Sequence, residues 1–210
     1  MSDAFGPIDV HTMFPVPLLM ARLDNSVALD TRLLAEARIR RENEPGMDRS
    51  NRYGWHSEAD FFSRKEPAHR ELAKIIRTFI DQGCARTMPA LPNKLTLNYD
   101  GWVNINPTHA MNAPHDHAGA FWSGTYYALV PLPDDPDDKL SGAIEFIDPR
   151  GSLGSSVQIE TPFTKPKFTV RPGPGTLLLW PAYLKHWVHP NQASSERMTV
   201  SFNAWFTRSR

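Results

Sequence analysis

Near its end the chain reads Arg197-Met198-Thr199-Val200-Ser201-Phe202-Asn203-Ala204-Trp205-Phe206. Successive side chains of an extended strand point to opposite faces. Arg197, Thr199, Ser201, Asn203 and Trp205 therefore share one face, and Met198, Val200, Phe202, Ala204 and Phe206 share the other. The apolar set must bury, and the layer expected against it is made of the N-terminal helices. The mixed set either meets solvent, as in many antiparallel sheets, or lines a polar cavity.

Upstream lie more short strand-like runs, separated by Gly and Pro. They are Lys94–Tyr99, closed by an expected turn at Asp100-Gly101, then Trp102–Asn106, Phe121–Pro131, Ala143–Ile147, Lys167–Arg171 and Gly175–Trp180. The first third reads differently. Val27–Arg41 follows the N-cap candidates Asp24-Asn25-Ser26 and repeats apolar residues at Leu29, Leu33 and Ala37. Pro67–Asp81 carries Leu72, Ile75, Ile76 and Phe79 at helical spacing, with Gly83 as an expected stop. Helices followed by many short strands predict an α+β fold with a jelly-roll or barrel core. The expected organisation is a single domain over 1–210, mainly helical over 1–90 and β-rich over 91–210.

Composition narrows the function. Lys plus Arg and Asp plus Glu are both 23, so the formal net charge is zero. Nucleic acids and anionic membranes select a basic surplus, so neither is expected as a partner. No apolar run is long enough to span a bilayer, and the N-terminus lacks a basic flank with an apolar run behind it. The single cysteine, Cys84, can form no internal disulfide and no thiolate zinc site, which suits a reducing cytoplasm. Prolines number 19 of 210, against an average of about 5%, which suits strands and turns better than a helix bundle.

Chemistry concentrates in the histidines. His115-Asp116-His117 sets two imidazoles at i, i+2, on one face of an extended segment and close enough to share a metal ion. His186 follows much later, just past the strand that ends at Trp180-Pro181. A short-range pair plus one distant histidine suits a three-ligand catalytic site with open positions better than a closed structural site. The competing reading is a loop with two solvated histidines. Arg197 opens the last strand, and Thr199 shares its face. A guanidinium facing a cavity grips a carboxylate bidentately, although many arginines simply face solvent.

The order of these parts resembles the 2-oxoglutarate/Fe(II)-dependent dioxygenase superfamily. That pattern is His-x-Asp/Glu, a distant His, then an Arg, often as Arg-x-Ser; here it reads His115-Asp116-His117, His186 and Arg197-Met198-Thr199. Gly54-Trp55-His56-Ser57, Trp102-Val103-Asn104, Ser123-Gly124, Tyr126-Tyr127, Asp148-Pro149-Arg150, Pro190-Asn191 and Ser201-Phe202-Asn203 resemble a small bacterial and phage branch of it. The likeness spans residues 50–207. One position departs: the usual carboxylate is replaced by His117, with Asp116 as the alternative third ligand should the backbone bulge there.

The resemblance implies a double-stranded β-helix core with N-terminal helices on one sheet. It implies Fe(II) on His115, His117 and His186, and 2-oxoglutarate held by Arg197 and Thr199. The implied reaction is oxidative decarboxylation of 2-oxoglutarate coupled to hydroxylation of a small-molecule or peptide substrate. Tyr99, Asn104, Tyr126, Arg150, Ser201 and Asn203 are candidates for supporting the ligands or touching the co-substrate. Trp122 is a candidate for a substrate entrance, and His189 is expected to face away from the metal. The helical third is expected to form a lid or a dimer surface. Two other readings remain open here: a three-histidine metalloenzyme without 2-oxoglutarate, and a non-catalytic barrel.

Overall fold

The computed structural model describes residues 7–88, 95–151, 159, 161 and 163–208. Its elements in chain order are β1 (Leu19–Arg22), α1 (Val27–Asn43), β2 (Asn51–Arg52), β3 (Trp55–His56), α2 (Pro67–Thr87), β4 (Leu95–Asn106), β5 (Met111–His115), β6 (Trp122–Leu129), β7 (Ile144–Ile147), β8 (Lys167–Val170), β9 (Thr176–Pro181), β10 (His186–Val188) and β11 (Arg197–Arg208). A single 3₁₀ turn, Phe61–Ser63, precedes α2.

The strands form two antiparallel sheets. The larger runs β1-β9-β6-β11-β4-β3 and the smaller β2-β5-β10-β7-β8. β11 pairs with β4 along its length, from Arg197 opposite Asn106 to Arg208 opposite Leu95, and with β6 on its other edge. Each face of the larger sheet is covered. Met198, Val200, Phe202 and Ala204 bury against Leu33, Leu72 and Ile76 of the helices, as the alternation requires. On the opposite face Tyr127, Leu178 and Trp180 meet Ile144, Phe146 and Val188 of the smaller sheet.

The helices have the periodicity this burial needs. Ala68, Leu72, Ile76, Ile80 and Cys84 form an i, i+4 ladder on the buried side of α2. Burying one large aliphatic side chain is worth roughly 2 kcal/mol, so this ladder is what seats the helical layer on the sheet.

Four sequence expectations need correction. Gly83 does not stop α2, which continues to Thr87. Gly83 lies against the sheet, where a Cβ would sit 2.7 Å from Leu179 Cδ2, so the missing side chain is a packing requirement. Asp100-Gly101 is no turn either, because β4 runs through it. A Cβ on Gly101 would meet Phe62 Cε2 at 2.9 Å and the Ser201 carbonyl oxygen at 3.0 Å. The start of the expected strand at Lys94 lies outside the described residues. The first third holds three strands besides its helices: β1 closes one edge of the larger sheet against β9, while β2 and β3 join different sheets. Finally, Trp122 is not at an entrance; it is buried in the helix-side core with Cys84.

A buried polar contact ties the two helices. Glu36 of α1 accepts the backbone N–H groups of Ala68 and His69, in the first turn of α2, at 2.9 and 3.1 Å. It also accepts His69 Nδ1–H at 2.7 Å. The carboxylate thus caps donors that a helix start leaves open. Glu36→Ala should strip all three donors of their acceptor and lower stability by about 2 kcal/mol in urea denaturation, with Glu36→Gln milder.

Burial lowers the pKa of His69, so the folded ring stays neutral. The unfolded ring takes up a proton near pH 6.5, so stability falls as pH drops below about that value. His69→Gln should make the fall shallower by up to about 1.4 kcal/mol per pH unit, measured by urea melts at stepped pH.

Candidate metal and co-substrate site

Between the sheets lies a cavity of about 440 Å³. His115 ends β5 and His186 begins β10, and the two are register partners. Directly opposed residues of an antiparallel pair project to the same side, which brings the rings to 4.5 Å between centroids. His117 lies past the end of β5. Its backbone N–H donates to the Ala182 carbonyl at 3.0 Å, and its ring stands 4.9 Å from His115 and 5.3 Å from His186. Nitrogens of the three imidazoles all lie within 4.8 Å of one another. Asp116 is exposed and does not join this cluster.

The hydrogen bonds orient the rings. His115 Nδ1 contacts the Ala113 carbonyl at 2.7 Å, and His186 Nδ1 contacts the Leu184 carbonyl at 2.9 Å. A carbonyl only accepts, so both Nδ1 atoms carry the proton and both Nε2 atoms keep a lone pair. These backbone acceptors replace the Asn104, Ser201 and Asn203 side chains expected in that supporting role. Burial, then repulsion from His115, holds the His186 pKa at about 3 and the His117 pKa at about 4. The trio is neutral near pH 7, as a cation's ligands must be. Trp180 lies edge-on to His186 at 4.9 Å and Phe146 stands 5.9 Å away, fixing the ring from behind.

Deeper in the same cavity is Arg197, only 3% exposed. Its guanidinium carbon lies 5.1 Å from the centre of the Tyr127 ring. Among the described residues no carboxylate pairs with it, and its Nε and the Tyr127 hydroxyl both lack a hydrogen-bond partner. Burial pushes the Tyr127 hydroxyl up to about 12, so it stays protonated as a donor. Thr199, Ser201 and Asn104 line the same wall, with Asn104 Nδ2 donating to Ser201 Oγ at 3.1 Å and Ser201 3.2 Å from the Thr125 hydroxyl. Asn203 stands one rung further out, accepting from Ser123 Oγ at 2.7 Å.

Three candidates lie elsewhere. Tyr126 has the opposite parity from Tyr127, and its hydroxyl donates to Asp30 of α1 at 2.5 Å in the helix-side core. Tyr99 also faces the helices, against Phe62. Arg150 is exposed and paired to Asp148. His189 sits on the outer face of the smaller sheet near Glu145, away from the trio.

The cavity also contains residues that sequence reasoning did not single out as site residues: Tyr127, Trp102, His56, Asp100 and Arg49. Trp102 and Asp100 share the parity of Asn104 on β4, so reading β4 as one strand would have found them. His56 comes from the short strand β3 and carried no periodic signal.

The matching family model, described as "Putative 2OG-Fe(II) oxygenase", covers residues 100–203, which include the histidine trio and Arg197. The chain belongs to the 2-oxoglutarate/Fe(II) oxygenase superfamily. It is thus an oxidoreductase of the dioxygenase type, with Fe(II) and 2-oxoglutarate as cofactor and co-substrate. The fold is similar to that of a Pseudomonas putida prolyl-4-hydroxylase (TM-score 0.57, 19% identity, 92% of each chain). It is similar also to a Trichoplax adhaerens prolyl hydroxylase solved with a peptide of the hypoxia inducible factor oxygen degradation domain (TM-score 0.61, 13% identity, 90% of this chain and 83% of that one). A third likeness is to the epimerase SnoN, solved with Fe3+, alpha ketoglutarate and nogalamycin RO (TM-score 0.63, 18% identity, 92% of this chain and 81% of that one). No curated protein matches the chain. No helix among the described residues is long and apolar enough to cross a membrane.

Proposed function

We propose that the protein hydroxylates a small-molecule or peptide substrate, with Fe(II) held by His115, His117 and His186 and 2-oxoglutarate held by Arg197. The observation that carries this reading is a buried cation without a counter-ion among the described residues, in one cavity with three neutral imidazoles. A buried charge is expensive without a partner, and a ligand's carboxylate supplies one here. The donor set fits iron: imidazole suits Fe(II), and three ligands leave positions open. With no carboxylate in the set, the protein contributes no charge to the metal. The two sheets are read as the strands of a double-stranded β-helix, with residues 1–210 as one domain backed by the helices.

The division of labour follows from the residues. His115 and His186 present Nε2 inward because their Nδ1 protons are committed to backbone carbonyls. Arg197 and Thr199, together with the Tyr127 hydroxyl, hold the far carboxylate of the co-substrate. Ser201, Asn104 and Thr125 line the path between that end and the histidines. Trp180 from the larger sheet and Ile144 from the smaller one wall off the cavity where the sheets meet. When bound, Fe(II) and 2-oxoglutarate would supply the oxidising power, one atom of O₂ going to the substrate and the other to the succinate formed as carbon dioxide is lost.

Anaerobic loading should give close to one Fe(II) per chain in wild type and almost none in His186→Ala, measured by metal analysis. A chain that takes up no stoichiometric iron would be a non-catalytic barrel.

Arg197→Ala should weaken 2-oxoglutarate binding by two or more powers of ten, about 3 kcal/mol, read by calorimetry with Mn(II) in place of iron. Iron-dependent succinate formation should fall in parallel. Turnover that survives Arg197→Ala and ignores 2-oxoglutarate would instead mark a three-histidine metalloenzyme of another kind.

A further inference from the structure

The co-substrate and metal residues account for the deep part of the cavity and leave its outer part unexplained. Asp100, Arg49 and His56 face that space from different elements, and Asp116 lies beside the trio as a solvent-exposed carboxylate. Asp100 lies on β4 two residues before Trp102, on the larger sheet. One of its carboxylate oxygens is buried and has no hydrogen-bond partner among the described residues. Asn203 is its register partner on β11. Ser123 occupies the Asn203 oxygen, so only the amide N–H end remains for Asp100. No lysine or arginine is paired to Asp100 among the described residues.

On the smaller sheet's side stands Arg49, just before β2, exposed at the rim. Its guanidinium has no ion-pair or hydrogen-bond partner among the described residues, whereas the nearby Arg52 is tied to its own backbone neighbours. Between the two charges the wall is aromatic. His56 stacks on Trp102 at 5.2 Å and 15°, and Trp102 stands 5.7 Å from His117. His56 Nδ1–H donates to the Ser57 carbonyl at 2.7 Å, which leaves Nε2 as an acceptor.

One wall thus offers an unpaired carboxylate, the opposite wall an unpaired guanidinium, and a flat aromatic surface beside a proposed iron ligand joins them. Water answers the exposed Arg49 in the free protein, but a neutral substrate covering it would strip that water and still leave the buried Asp100 oxygen without a partner charge. A cationic one would answer only Asp100. We propose that the substrate is a free amino acid, its ammonium group held by Asp100, its carboxylate by Arg49 and its side chain laid on Trp102 and His56 toward the histidine trio. The inference rests on the oxygenase reading and names the substrate class for that site.

The test uses full-length protein loaded with Mn(II) and 2-oxoglutarate, titrated calorimetrically with each of the twenty L-amino acids. At least one should bind. For the best binder, the analogue with hydroxyl in place of ammonium should bind about tenfold more weakly or worse, and so should its primary amide. Asp100→Asn should weaken the amino acid by a similar factor while leaving the hydroxy analogue unchanged. Arg49→Gln should weaken the amino acid while leaving the amide unchanged. The analogue arms need no variant, so a poorly folded mutant does not blunt the test. If 2-oxoglutarate binds and no amino acid does, the inference is overturned and the oxygenase reading stands. Equal affinity for the hydroxy analogue or the amide overturns it too, as does tighter binding of the same residue blocked at both ends, which would mark a peptide substrate. If 2-oxoglutarate itself fails to bind, the oxygenase reading falls first.

Discussion

Strand β11 is paired on both edges and covered on both faces, and each face demands a different chemistry. Its apolar residues must fit the helices, while Arg197, Thr199 and Ser201 must fit a polar cavity. A one-residue slip against β4 would drive the guanidinium into the helix-side core and expose Phe202 to the cavity. Buried on the wrong side, the cation would face a largely apolar layer of Leu33, Leu72 and Ile76. The register is therefore secured by electrostatics as much as by hydrophobic burial, and the cavity's chemistry and the fold's specification are one constraint.

The remaining elements maintain that strand. The α2 ladder of Ala68, Leu72, Ile76, Ile80 and Cys84 covers the apolar side, and Glu36 joins α1 to the start of α2. Gly83 and Gly101 let backbone approach where a methyl group would collide. The smaller sheet closes the other side and brings His115 opposite His186. Fold-level likeness to prolyl hydroxylases and to SnoN, at 13–19% identity, fits this view: the scaffold persists while most side chains change.

Legibility from sequence followed periodicity. The alternation of residues 197–206 by itself separates Arg197 and Thr199 from Met198 and Val200. The i, i+2 histidines and the distant His186 were legible because ligand residues are chemically conspicuous. Local turn propensity misled where tertiary packing overrode it. Asp100-Gly101 has turn composition, yet the glycine is there for Phe62 and Ser201. Tyr126 and Tyr127 look alike in sequence, and only the parity of β6 against β11 sends one to Asp30 and the other to Arg197. The backbone carbonyls behind His115 and His186 have no sequence signature. Strands β2, β3 and β10, two or three residues long, are too short for any period to register.

His186 and Arg197 stand on consecutive strands that belong to different sheets, joined by a single short crossing. Asn191 fastens that crossing: its Nδ2 donates to the Asn106 and Ser195 carbonyls, at 3.1 and 2.8 Å, and its Oδ1 accepts from Ala193 N–H at 3.2 Å. Asn106 is the register partner of Arg197, so the fastening acts directly beside the guanidinium. Under the proposed roles, the gap between imidazole and guanidinium becomes a ruler for the dicarboxylic acid laid between them. A shorter or a longer oxo acid would meet the two ends less well. Discrimination by chain length then resides in a loop that touches neither end of the molecule it measures.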